Sequence, residues 1–188
     1  MNRTLSKNIL GITLLIIFAA LAETTVADDN GKRHQHRERR HNDDNHHRER
    51  ALKPVSNATY ADQCGACHFA YQPELLPVGS WEKILGGIDD HFGEAVDLDP
   101  DTRSEIAGYL SSNAANTSSA ELSRKILKSL DGRTPLRITD IPYIRKEHHE
   151  IAAQVVKRPS VGSWSNCIAC HRTAENGVYD DDRVSIPE

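Results

Sequence analysis

Methionine is almost absent from this chain: of 188 residues, only Met1 is methionine. Any role for a thioether side chain deep in the sequence is thereby excluded. Aromatic residues are scarce as well, at 5% (two Trp, five Tyr, three Phe), which makes a thin core for a chain of this length. Long apolar runs are missing beyond residue 22, so no later segment reads as a membrane-spanning helix. A basic stripe suited to nucleic acid is also missing from the part that reads as folded, and the formal charge of −4 is acidic.

The first residues read as a secretory leader. Arg3 and Lys7 are followed by an uncharged apolar run from Ile9 to Ala22, with a small-x-small cleavage site at Ala20-Leu21-Ala22 and a second at Thr25-Val26-Ala27. The run is 14 residues, shorter than the roughly 20 that a spanning helix needs. Cleavage, expected after residue 22 and at the latest after 27, takes the formal charge from −4 to −6 when it falls after Ala22. Residues 28–50 hold seven Lys/Arg, six Asp/Glu and five His, with no hydrophobic residue. Such a segment has nothing to bury and reads as a disordered linker. Its histidines, His34, His36, His41, His46 and His47, also allow a metal-binding tract.

Residues 51–188 read as short helices joined by loops. Helices are expected over Thr59–Phe69, from Ser80 through Ile88, from Asp99-Pro100 to Asn113, from a Ser118/Glu121 capping box to Gly132, over Ile144–Val155 and over Ser165–Thr173. No apolar/polar alternation is sustained, which argues against sheet. The expected fold is all-α, short helices and loops packed around two bound prosthetic groups. Two lobes are expected, 51–115 and 116–188.

All four cysteines fall in two motifs, Cys64-Gly65-Ala66-Cys67-His68 and Cys167-Ile168-Ala169-Cys170-His171. Each is C-x-x-C-H, the attachment pattern of c-type haem. On a helix, residues three and four apart share a face, so two thiols reach the vinyl groups along one porphyrin edge. The following histidine then supplies the proximal ligand to iron. Two C-x-x-C pairs could instead form a zinc site, or a redox dithiol. Neither needs a histidine directly after the second cysteine, and here it stands there twice, behind a leader, with no cysteine left over.

With no methionine available, the sixth iron ligand must come from elsewhere. Outside the linker and the motifs the histidines are His91, His148 and His149. His91 follows His68 by 23 residues, and His148 precedes His171 by 23. His91 is therefore assigned to the first haem and His148 to the second. His149 rivals His148, since neighbours on a helix point about 100° apart and only one can ligate. Crossed ligation, with His91 on the second haem, is the other arrangement open.

The run Tyr60-Ala61-Asp62-Gln63-Cys64-Gly65-Ala66-Cys67-His68-Phe69-Ala70-Tyr71, with Leu75-Leu76-Pro77, Ser80-Trp81 and His91-Phe92-Gly93, resembles the bacterial soluble dihaem cytochrome c family. So do Ile138-Thr139, Pro142-Tyr143, His148, Glu150-Ile151 and the Cys167 motif. The resemblance covers nearly all of 55–188. It implies helices of class I-like cytochrome c character and two bis-histidine irons, His68 with His91 and His171 with His148. It also implies a periplasmic electron carrier. The partners it implies are redox proteins, such as an oxygen-binding monohaem cytochrome or a membrane b-type cytochrome. Trp81, Tyr71 and Phe92 are expected against the first haem and Trp164 against the second. The competing function is a dihaem enzyme, or a haem protein reacting with oxygen or peroxide, with one displaceable axial ligand.

Overall fold

In a computed structural model the described residues are 51–188. The expected leader (1–22, or to 27) and the charged segment 28–50 lie outside the described residues. Every regular element described is helical. Seven α-helices follow in order: α1 Ala58–Gly65, α2 Val78–Gly86, α3 Pro100–Asn113, α4 Glu121–Leu130, α5 Pro142–Glu147, α6 Ala153–Val156 and α7 Cys167–Cys170. Short 3-10 turns punctuate them, and an isolated bridge joins His91 to Glu94. The all-α expectation holds.

Local chemistry explains the starts and stops. Asn57 caps α1, its side-chain oxygen accepting from the Tyr60 N–H at 2.6 Å. Asp99 caps α3 by accepting from the N–H groups of Asp101 and Thr102, and Pro100 occupies the first turn, where no N–H is needed. α4 buries Ser123, Ile126 and Leu130 on one face, at the three-, four- and seven-residue spacing of a helical stripe. Asp131 then turns left-handed at φ 48° and Gly132 at 77°, which ends the helix.

Several expected boundaries shift, and the first-motif helix, expected to reach Phe69, ends at Gly65. The Ser80 helix begins earlier, at Val78 behind Pro77, and Ser80 is buried inside it. The capping box fails: Ser118 donates to the buried Glu74 carboxylate at 2.5 Å, and Glu121 pairs with Lys125 at 2.8 Å. The N-cap position falls on Ala120, whose own N–H donates to Ser118 Oγ at 3.0 Å. The expected 144–155 helix is broken, because the chain leaves α5 at Glu147 and re-enters helix only at Ala153. The second motif is helical over four residues only.

α2 lies on α3, α1 on α3, and α4 on α5. Between them sits a core of Leu52, Tyr60, Leu75, Leu76, Trp81, Leu85, Ile106, Leu110, Ile126, Leu130 and Ile141. Ile106 and Ile126 are completely buried, each contributing about 1.5–3 kcal/mol. Hydrogen bonds tie residues on either side of the 115/116 junction. The Leu52 N–H donates to Gly177 O at 2.9 Å, and the Gln72 amide donates to Ala174 O at 2.6 Å. The first motif rests on the core through half-buried Cys64 at the end of α1, while the second is carried by the segment that these bonds fasten down.

Candidate functional site

α1 carries Cys64 and delivers Cys67 and His68 just beyond its end. α7 carries Cys167 and Cys170, and His171 stands at its C-cap. All four cysteines are free thiols; each stands for the thioether it would form on attachment. Burial pushes the Cys64 and Cys167 thiols up to about 11 and raises that of Cys170 as well. A reactive dithiol needs the opposite, a thiol held below its ordinary value. Nor do the four thiols meet, for the described residues hold no group of three or more His, Cys, Asp or Glu placed to bind one metal ion.

The histidines come together in two pairs. The His68 and His91 rings have centroids 6.2 Å apart and lie 26° from parallel. Those of His148 and His171 are 5.9 Å apart and inclined by 64°. A metal–imidazole bond is about 2 Å, and with ~1 Å more from nitrogen to ring centre, two trans imidazoles have centroids roughly 6 Å apart. Both pairs therefore fit a metal seated between the rings, and the sequence-assigned partners are the ones brought together.

Each pair holds one ring by its Nδ1. His68 donates to Phe69 O at 2.7 Å and His148 to Ile144 O at 2.8 Å, if Nδ1 carries the proton. That leaves Nε2 for a metal. In the other member of each pair the surroundings disfavour the charged form. Burial, then the neighbouring His68 and Arg137, lower the pKa of His91; burial and His148 lower that of His171. His149 points elsewhere: its side chain is 69% exposed and its Nε2 lies 3.8 Å from Glu150. His148 is still tied to the last turn of α5, its N–H donating to Ile144 O at 3.2 Å, and His149 is the next residue along.

Aromatic residues frame both pairs. Tyr71 stacks on His68 at 5.1 Å, Phe92 lies 4.8 Å from His91, and Trp164 meets His148 edge-on at 6.3 Å. Arg137 sits over the Phe92 ring at 3.8 Å, bringing the region after α4 onto the first pair. Trp81 is in the helical core, donating to Pro73 O at 2.8 Å. Tyr179, which nothing in the sequence pattern singles out, lies 5.5 Å from His171. A cleft of about 400 Å³ beside His68 is lined by Val55, Phe69 and Ala70, and also by Ile168 and Glu175 from the second motif region.

The model of the dihaem cytochrome c family matches residues 60–179, which takes in both motifs and all four paired histidines. The chain belongs to this family. Comparison with solved structures agrees. The diheme cytochrome c from Rhodobacter sphaeroides is 37% identical with a TM-score of 0.61, over 69% of this chain and 100% of that one. The diheme cytochrome type c from Shewanella baltica OS155 is 35% identical with a TM-score of 0.57, over 70% and 93%. Comparison with curated proteins gives no significant match. This dihaem cytochrome c accordingly carries two covalently bound c-type haems. No described helix is long and apolar enough to cross a membrane.

Proposed function

We propose that this dihaem cytochrome is an exported electron carrier whose two irons are each held by two histidines. His68 and His91 ligate the first, and His171 and His148 the second. Cys64 with Cys67, and Cys167 with Cys170, form the thioethers. The observation that carries the reading is the 6.2 and 5.9 Å spacing of the two ring pairs. The haems supply the one-electron chemistry. The chain's part is to hold four imidazoles in place, to bury the porphyrin faces and to present charge to partners.

The leader and the family together favour the periplasm. Partners are redox proteins, an oxygen-binding monohaem cytochrome or a membrane b-type cytochrome being the two suggested by the resemblance. Residues 51–115 carry ten Asp/Glu against three Lys/Arg, so this half attracts a basic docking face. Association with such a partner slows as salt rises.

The test is a visible spectrum of the purified holoprotein, oxidised, then reduced, then exposed to carbon monoxide. Two low-spin haems per chain that ignore carbon monoxide support the carrier. A carbon monoxide shift at either haem transfers the reading to an enzyme or a small-ligand-reacting protein with a displaceable axial histidine.

A further inference from the structure

The two proximal histidines are braced crosswise. Tyr71 stacks on the ring of His68, yet its hydroxyl donates to Ser165 O at 2.6 Å, two residues before Cys167. Tyr179 packs on the ring of His171, yet its hydroxyl donates to the Gln72 side-chain oxygen at 2.6 Å, four residues after His68. Gln72 is completely buried, and its amide nitrogen donates to Ala174 O at 2.6 Å, three residues after His171. Tyr60, buried beneath, donates to Tyr71 O at 2.8 Å. Each tyrosine thus touches one proximal imidazole and hydrogen-bonds the segment that carries the other.

A network that only held the fold would have no need to end on both imidazoles. A continuous route runs from the His171 ring to the Tyr179 ring, through its hydroxyl to Gln72, along one peptide to Tyr71 and onto the His68 ring. Bonds and short hydrogen bonds make up all of it except the two ring contacts, and Gln72 at its middle is sealed from water.

We propose that Tyr71, Gln72 and Tyr179 are positioning residues that couple the two haem sites and set the rate at which an electron passes between them. The transfer moves one electron. The ferrous iron at one site becomes ferric and the ferric iron at the other becomes ferrous. The phenols keep their protons and are not themselves oxidised. This inference rests on the electron-carrier reading, but the two fail separately. Carbon monoxide binding tests the ligands of each iron, whereas internal transfer tests the bridge.

The experiment uses the haem-loaded full chain and four variants: Tyr71→Phe, Tyr179→Phe, the double Phe variant, and Gln72→Met. Less than one reducing equivalent is delivered in a fast pulse, and equilibration between the haems is followed optically. The splitting of the two reduction potentials and the spin coupling of the ferric haems by electron paramagnetic resonance are recorded alongside. Ile126→Ala serves as a variant destabilised in the core without removing any side-chain hydrogen bond of the network. The expected result is several-fold slower equilibration in each single variant and a larger loss in the double, with both haems still low-spin and the Ile126→Ala rate unchanged. An unchanged rate in the double Phe and Gln72→Met variants overturns the proposal. So does an Ile126→Ala variant that slows as much as they do, since that would reduce the bridge to general packing.

Discussion

Gly177→Ala should cost this protein far more stability than a single methyl group suggests. Gly177 has φ +75°, a left-handed conformation that costs a residue with a Cβ about 1–2 kcal/mol. Space is the larger obstacle, because an added Cβ would stand 2.0 Å from Leu52 O and 2.6 Å from its carbon. That neighbour is backbone and has no flexible end to swing aside. The segment around Leu52 must move off, which gives up the Leu52 N–H to Gly177 O hydrogen bond, about 1 kcal/mol net. It also exposes a side chain that is 2% accessible, worth roughly 1.5–3 kcal/mol. The expected loss is about 3–6 kcal/mol, and at about 3–4 °C per kcal/mol for a domain of this size the Tm falls by on the order of 10 °C or more. Thermal unfolding of the haem-loaded protein measures it, and hydrogen exchange at the Leu52 amide should quicken. A Tm within about 3 °C of the parent would refute the reasoning, for it would mean that the two segments separate at almost no cost.

Ile126→Ala removes a fully buried side chain from α4 and should cost about 2–5 kcal/mol in denaturant unfolding, with haem content unchanged. His91→Met replaces an imidazole by a thioether at the first haem and should raise that haem's potential while leaving the second where it was, as spectroelectrochemistry would show. The Asp99 carboxyl is held below its ordinary pKa by hydrogen bonds from the Thr102 side chain and backbone. Its folded pKa is the depressed one, so its contribution is present above the unfolded value near 3.9 and is lost as pH falls through the folded value. Asp99→Asn should therefore converge on the parent as pH drops from 6 toward 3: the Tm gap favouring the parent at pH 6 should close in acid.

Much of the site could be read from spacing. C-x-x-C-H fixes a proximal histidine by chemistry alone, and the lack of methionine leaves only His91, His148 and its rival His149 as histidine donors outside the linker. Asp99-Pro100 announced α3 because a cap and a first-turn proline act through their immediate neighbours. What escaped depends on distant residues. Ser118 looked like a cap, but Glu74 is a buried carboxylate that needs donors, and it takes the Ser118 hydroxyl along with the Lys53 N–H. The 144–155 helix looked continuous because its apolar periodicity runs on, whereas the chain leaves helix after Glu147 and re-enters it only at Ala153. Tyr179 and Gln72 carry no local signal at all. Their partners lie 102 and 107 residues away, and only the closed fold brings them into range.

The crosswise bracing also sets an order of events in folding. Its bonds join residues 94 to 107 positions apart, and loop closure on that scale comes late, after the local helices have formed. Until it happens α7 is four residues with no buried member, far below the length at which a helix persists alone in water. The Cys167 motif therefore stays open longest, accessible to whatever machinery installs its porphyrin. Once the last contacts form, the same bonds hold the two attachment segments to one another, and a polypeptide that begins as a loose substrate for modification ends with both motifs tied to one framework.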